Sequence, residues 1–569
     1  MKKKKMKKLT AVVAPVLAMS MALTACSTSG GDKKTSTNSS SGGDSKSEEK
    51  LAAKQVFNKT ENQEIPTMDT SKSTDTLGSQ ILGNTMEGLY RLDKENKPIP
   101  AAAESSTKSE DGKKYTFKLR KDAKWSNGDS VTAKDFVFAW QRLLDPKTAA
   151  EYAFIAFPIK NAEAVNKGEK PVTELGVKAV DDLTLEVELE QAVPYFLNLV
   201  AFPSYYPLNE KFVKEKGDKY GLESDTTVYN GPFVLTDWKH EQGWKLKKND
   251  QYWDKKTVKL DEINYSVVKE PATNVNLYDS GQIDFSLLTG EFVDKYRNNK
   301  EEYGVYNEPS TFFIRLNQKR GGQDTPLKSK KLREAIALSI DKKNLTNVIL
   351  NDGSKPADYL VPKGLAAGPD GKDFQETFKN GVKPDAKKAA AAWEEAKKEL
   401  GKDQVTIEFL NYDTGNAKKV GEYVKDQIEK NLKGVTVNIK LQPFKQKLKL
   451  ESDQDYDYDI SYGGWSPDYA DPMTYLDMFE SKHSHNQMSF SDQKYDEIIK
   501  KAGGELMTDA KKRWEELGKA EELLLEEDVA LVPLYQSARS YVMKPHVKGV
   551  VKHNISPEYS YKWAYVTEK

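Results

Sequence analysis

The stretch 405–441, VTIEFLNYDTGNAKKVGEYVKDQIEKNLKGVTVNIKL, decides the layer architecture. Val405–Leu410 is a short apolar, β-branched run that predicts a strand. Val420, Val424 and Ile428 recur at the spacing of one helix face. Val435, Val437, Ile439 and Leu441 then alternate with polar residues as a second strand. Strand, helix and strand in that order form a βαβ unit, so this part of the chain is an α/β layer with a parallel pair.

Downstream, Tyr458–Asp459–Ile460–Ser461–Tyr462 predicts another strand. It leaves into Gly463–Gly464–Trp465–Ser466–Pro467–Asp468–Tyr469–Ala470–Asp471–Pro472, which reads as a loop. Two glycines allow close backbone approach or a positive φ, Trp465 offers a flat apolar face, and the two prolines restrict the chain around Asp468. A carboxylate fixed beside that platform suits capture of a cation or an ammonium. The plainer reading is a surface turn whose Asp residues cap backbone groups. Further on, the pattern predicts an acidic helix over 509–527 and closing strands over 529–536 and 540–551.

Upstream, apolar residues at 332, 336 and 340 mark one helix face across 331–344. Tyr115, Phe117 and Leu119, and again Leu183, Leu185, Val187 and Leu189, alternate as half-buried strands. Thr132–Ala133–Lys134–Asp135 is a capping box that opens a helix through Trp140.

A chain of 569 residues exceeds one ordinary core and implies two to four domains. Its formal charge is +0, but Lys2–Lys5, Lys7 and Lys8 sit in a leader. Without them the body has six more acids than bases, and no basic stripe is interleaved with aromatics, so nucleic acid is not an expected partner. The single cysteine, Cys26, excludes an intrachain disulfide and a cysteine-rich metal site. His483–Ser484–His485 lacks a third ligand at metal-site spacing and reads as a polar loop, so no metal or cofactor is expected. There is no GxSxG, P-loop or HExxH pattern, and an enzyme is not expected.

The first 25 residues read as a signal: a lysine-rich start, an apolar run from Leu9 to Leu23, then Leu23–Thr24–Ala25–Cys26. That ending resembles a bacterial lipobox, in which the cysteine is diacylated and becomes the new N-terminus. Residues 26–51 are Ser/Thr/Gly/Lys-rich and read as a disordered tether. The expected location is the extracytoplasmic face of the cell membrane, held by lipid, as on a Gram-positive cell surface.

Several motifs carry a resemblance that covers residues 52–569. They are Tyr115–Thr116–Phe117–Lys118–Leu119–Arg120–Lys121–Asp122–Ala123–Lys124–Trp125–Ser126–Asn127–Gly128, Phe136–Leu143, Asn230–Gly231–Pro232–Phe233, Gln251–Tyr252–Trp253 and Gly464–Trp465–Ser466–Pro467–Asp468–Tyr469. In this order they resemble the bacterial extracellular solute-binding proteins of family 5, the peptide-, nickel- and sugar-binding components of ABC importers, and most of all the oligopeptide-binding members. The resemblance implies an α/β, two-lobed periplasmic-binding-protein-like clamp (class II, cluster C). Its three domains would be 52–86 with 211–310 and 536–569, then 87–210, then 311–535. It implies a monomer that encloses an oligopeptide as an added strand and hands it to a permease driven by ATPase subunits.

Carried over residue by residue, Asp468 would take the peptide ammonium. Gly464, Trp465 and Ser466 would pair with its backbone, and Thr74, Asp75 and Thr76 would form the opposing strand. Tyr152 matches a cleft tyrosine and Phe444 an aromatic cover. Leu287 and Leu288 fall where relatives line the cleft with amides, and Tyr535 falls at a domain crossover. The departures concern the carboxylate end: Tyr462 stands in place of Arg, Ala417 in place of His, and 450–455 is acidic where a base would sit, while Arg315 replaces an acid. The amine end thus reads as retained and the carboxylate anchors as lost. Peptide-signal reception on the same fold, and a dipeptide, nickel, haem or sugar ligand, stay open as alternatives.

Overall fold

The computed structural model of the protein describes residues 50–453 and 455–568. Cys26, the signal-like segment and the tether as far as residue 49 lie outside the described residues. Strands of four residues or more run in chain order as β1 Val56–Glu61, β2 Ala103–Lys108, β3 Lys114–Leu119, β4 Val177–Asp181, β5 Thr184–Glu188, β6 Phe233–Lys239, β7 Gly243–Lys248, β8 Glu262–Val267, β9 Phe285–Leu288, β10 Tyr303–Leu316, β11 Val405–Tyr412, β12 Val435–Gln442, β13 Ile460–Trp465 and β14 Leu531–Met543. Four helices frame the site: α1 Thr76–Thr85, α2 Ala133–Leu144, α3 Gly415–Asn431 and α4 Phe444–Ser452.

The predicted βαβ unit is present. β11 and β12 pair in parallel from Val405 opposite Val435 to Tyr412 opposite Gln442. Between them α3 buries Val420, Val424 and Ile428, the face its spacing marked. This unit is one flank of an eleven-stranded sheet, ordered β12-β11-β13-β10-β14-β9-β1-β8-β7-β6, with the short strand Lys355–Pro356 also paired to β14. A separate four-stranded antiparallel sheet, β2-β3-β5-β4, buries Tyr115, Phe117 and Leu119. Beside it α2 starts where the capping box placed it, the Asp135 carboxylate accepting from Thr132 N at 2.8 Å.

β10 and β14 form a long antiparallel ribbon at the middle of the large sheet. Their register slips between Asn307 and Thr311 and again between Phe312 and Phe313. Pro309 lies in the first slip, where its missing N–H costs no ladder bond.

Two expectations need correction, and the acidic helix expected over 509–527 is present. The two closing strands join: β14 runs unbroken through Ser537–Arg539, where the Ser537 and Arg539 side chains bond to Glu308, and stops at Met543, so that 544–551 holds only the short strand Val547–Lys548 and the start of Val551–Lys552. The helix expected across 331–344 stops at Ser339, and Asp341 caps a new turn, Lys342–Asn344. The acidic helix spans Ala510–Glu522, capped by Asp509, and ends in a π-helical turn, Leu523–Glu527.

Candidate functional site

A cavity of about 500 Å³ is walled by β13 and the loop after it, by α4, and by chain around residues 72–80, 151–152, 287–289, 535–540 and 556–558. Its size lies within the ~300–1,000 Å³ usual for small-ligand sites. Every residue singled out in the sequence as ligand-facing lines this one cavity: Thr74, Asp75, Thr76, Tyr152, Leu287, Leu288, Arg315, Phe444, Tyr462, Gly464, Trp465, Ser466, Asp468 and Tyr535.

Gly463–Gly464–Trp465 is strand rather than loop. β13 stays in register with β10, Gly464 opposite Phe312 and Trp465 opposite Thr311. The glycines supply room, not a positive φ. A Cβ on Gly464 would lie 2.7 Å from the Phe312 ring, and one on Gly463 would lie 2.7 Å from Arg315 Nη1. The chain leaves the ladder at Ser466, whose Oγ is 2.8 Å from Ser310 Oγ and donates to Glu558 at 3.3 Å.

Asp468 is 4% exposed. The Tyr152 hydroxyl donates to its Oδ1 at 3.3 Å, and its own N–H donates to Thr474 Oγ1 at 3.1 Å. No cation among the described residues faces its carboxylate, and burial pushes that group up to about 8 against the lowering effect of the Tyr152 bond. Behind it Trp465 stacks on Tyr152, centroids 6.0 Å apart at 10°, and meets the His485 ring edge-on at 5.0 Å. The segment 483–485, read as a polar loop, is therefore packing. His483 lies 4.3 Å from Phe154, and burial pulls both imidazoles down, His483 to about 4. No group of three metal-ligating side chains occurs among the described residues.

Thr74–Asp75–Thr76 is not the expected strand. Asp75 is the N-cap of α1, its Oδ1 accepting from Gly78 N at 2.8 Å. A capping carboxylate satisfies helix N–H groups that an extended chain would leave elsewhere. Its Oδ2 is buried without a hydrogen-bond partner among the described residues, and burial pushes the group up to about 6.

At the far side the Tyr462 and Tyr535 hydroxyls are 2.5 Å apart, and Phe312 stacks on Tyr535 at 5.0 Å. Tyr535 sits within β14, and Leu287 and Leu288 end β9 opposite Tyr541 and Ser540. Phe444 opens α4 with its ring 5.8 Å from that of Tyr412. Arg315 is buried, with Nη1 3.4 Å from Glu451 Oε1. The same oxygen accepts from Lys447 Nζ at 2.6 Å and from the Ser461 hydroxyl. Burial would raise Glu451, but Lys447 and Arg315 hold it below the usual carboxylate range, while burial brings Lys447 down to about 8. The acidic run 450–455 thus presents less negative charge to the cavity than its sequence suggested.

Sequence reading missed Phe312, Tyr412, Lys447, Arg539 and Glu558. Arg539 Nε lies 2.9 Å from Glu308 Oε2, and Lys552 Nζ 3.2 Å from Glu308 Oε1. These partners are more than 200 residues apart in the chain, so no local pattern announces them.

The model of the bacterial extracellular solute-binding proteins, family 5 middle, matches residues 97–487. Dipeptide-binding protein DppE of Bacillus subtilis (strain 168) is 36% identical over 486 residues, which is 85% of this chain and 87% of DppE. A crystal structure of the substrate-binding domain of an oligopeptide ABC transporter from Bacillus anthracis str. Ames is 99% identical. It covers 91% of this chain and 100% of its own, with a TM-score of 0.90. Listeria monocytogenes OppA bound to peptide is 45% identical, with the same coverages and a TM-score of 0.88. The mixed α/β architecture is that of a two-lobed binding-protein clamp. The chain belongs to the bacterial extracellular solute-binding proteins of family 5.

Proposed function

We infer that the protein captures oligopeptides outside the cytoplasmic membrane and delivers them to the permease of an ABC importer. The observation that carries this reading is Asp468, a buried carboxyl faced by no cation among the described residues, set at the exit of β13 and open to a cavity. Enclosing a ligand ammonium strips its water, so the ammonium needs a charged, hydrogen-bonded partner, which Asp468 becomes by giving up its proton. The backbone of Gly464–Ser466 and the segment 74–76 border the same space and suit an extended ligand main chain. The names of the relatives agree: DppE is a dipeptide-binding protein and the Listeria OppA holds a peptide. The protein binds without chemistry, as the family does.

Lipid anchorage through Cys26, a leash over 26–49 and transfer to a permease belong to the same reading, supported by the lipobox-like Leu23–Cys26 sequence; the tether expected to reach 51 stops earlier, since Lys50 pairs with Glu568 and Leu51 bridges to Thr567. So does the three-domain division. The four-stranded sheet falls wholly within 87–210 and the β11–β13 unit wholly within 311–535. Mass spectrometry of ligand released from the purified protein tests the reading. Peptides of mixed sequence with free amino ends are expected. A non-peptide ligand, or progressive cleavage of an added peptide by the pure protein, would overturn it.

A further inference from the structure

In the order of the large sheet, β11 and β8 stand six places apart, on opposite sides of the β10–β14 ribbon. Six spacings of ~4.8 Å would hold them about 29 Å from each other in a flat sheet. The segments that leave their C-terminal ends nevertheless touch. Lys269, two residues past β8, reaches Asp413, the residue after β11, at 2.9 Å. The Gly415 N–H, at the start of α3, donates to Lys269 O at 3.3 Å. The sheet therefore curls, and this contact is made across a gap, not through the ladder. The gap is the cavity: Leu287, Leu288 and Thr289 line it from the β9 side, and Thr414, Asn416 and Ala417 from the α3 side.

Charge dominates the contacts across this rim. Lys269 lies 3.3 Å from Glu241 of the β6–β7 turn as well as against Asp413. Glu270 lies 3.4 Å from Lys418, and Glu291 3.8 Å from Lys419. Thr289 Oγ1 donates to Asn416 Oδ1 at 2.9 Å. α3 has no acid in its first turn, and its N-cap Thr414 makes no side-chain capping bond. Glu270, reaching over from the other side, supplies the anion that this helix N-terminus lacks. A Cβ on Gly415 would lie 2.8 Å from Glu270 Oε2 and 2.9 Å from Pro271 Cδ, so the glycine lets the two sides meet. The side chains of Lys269, Asp413, Glu270 and Lys418 are 30%, 25%, 58% and 43% exposed, open enough to water for salt to screen them.

We propose that the pairs Lys269–Asp413 and Glu270–Lys418 form a salt-sensitive latch across one rim of the cavity, setting how fast the clamp opens and its ligand leaves. The release step rests on the peptide-binding reading above; the latch itself does not. Each pair is exposed and weak, so removing one speeds opening only a few-fold. Together they tie release to ionic strength, whereas Asp468, buried within, feels screening far less.

Stopped-flow tryptophan fluorescence, with Trp465 on the cavity wall as reporter, tests this by following pentaalanine as it leaves in about 0.01 M and about 1 M salt, where the Debye length is ~30 Å and ~3 Å. The proteins are wild type, the double variant Lys269→Met/Glu270→Gln, Gly415→Ala and, as control, Lys331→Met. Lys331 pairs with Glu334 and Glu395, and none of the three lines the cavity. In low salt the double variant should release pentaalanine about 2- to 20-fold faster than wild type and lose most of the wild-type salt response. Gly415→Ala favours the helix itself but wedges the two sides apart, and should also speed release. Lys331→Met should behave as wild type. Release from the double variant at the wild-type rate in low salt, an undiminished salt response, or an equal acceleration in Lys331→Met overturns the proposal. Should the double variant fail to give a cooperative melt, Gly415→Ala decides, and release at the wild-type rate overturns the proposal. If pentaalanine binds to none of the proteins, the peptide reading has failed, and the latch is judged on unliganded protein by small-angle scattering. The double variant should then have the larger radius of gyration in low salt, and equal radii overturn the proposal.

Discussion

Replacing Asp468 by Asn keeps its shape and removes its charge. With the empty-site carboxyl near 8, about one molecule in eleven is ionised at pH 7, so ionising the rest costs ~1.4 kcal/mol before any ammonium is paired. Breaking a buried pair typically costs ~3–5 kcal/mol. The difference, ~2–4 kcal/mol, predicts that Asp468→Asn binds free-amine peptides about 30- to 1,000-fold more weakly at pH 7. The same balance fixes a pH dependence. Wild-type affinity should rise about tenfold from pH 6 to 7 and level off near 8, where the peptide's own amine, at ~7.7–8.0, begins to lose its proton. Binding at pH 6–7 should release about one proton, counted by calorimetry in buffers of different ionisation enthalpy. The variant should show neither the slope nor the proton, and N-acetyl peptides should not distinguish it from wild type. Wild-type affinity that is flat between pH 6 and 8, or an Asn variant that binds free-amine peptide as wild type does, would refute the argument.

The same carboxyl governs the empty protein. It is protonated in both folded and unfolded states below about pH 4, and between there and its folded value near 8 the wild type is progressively penalised. Unliganded Asp468→Asn should therefore melt above wild type by a margin that grows from pH 4 to 8, and a margin that shrinks would contradict the assigned burial. Gly464→Ala puts a Cβ 2.7 Å from the Phe312 ring, which must slide on Tyr535. Overpacking of this kind costs ~1–3 kcal/mol, read in a urea melt, and peptide affinity should fall with it. Cys26→Ala removes the thiol that would carry lipid, so the protein should move from the membrane fraction to the medium; retention on membranes would exclude that anchor.

The parts of the fold that sequence revealed are those whose signal is local. Residues 405–441 carry strand, helix and strand spacing within one short stretch, and the structure keeps all three. Gly, Trp and Pro around Asp468 announce a constrained stretch, and the structure sets that residue on the cavity wall. What stayed hidden depended on distant partners. Gly463–Trp465 is strand because β10, some 150 residues earlier, supplies its ladder. Residues 537–539 fall between the two predicted strands, and they join them only once Glu308 is placed beside Ser537 and Arg539. The sign of Glu451 was plain, but not what it faces. Lys447 is one helical turn before it, a readable spacing, whereas Arg315 reaches it only through the fold.

The slipped register in the β10–β14 ribbon has a mechanical consequence. Two hydrogen-bonded strands resist sliding but bend and twist with little resistance where pairing lapses, and here it lapses at residues 308–310. That spot is tied to the loop after β13: Ser310 meets Ser466, and the Tyr475 hydroxyl lies 2.6 Å from Pro309 O and 2.9 Å from Trp465 O, its one proton shared between them. A rotation of the sheet's flanks about this point would therefore also move the loop that carries Asp468, like a lever whose fulcrum lies next to its load. Amide exchange should report it: ladder amides on either side stay protected with or without peptide, while the change on loading concentrates at Glu308, Ser310 and Thr311.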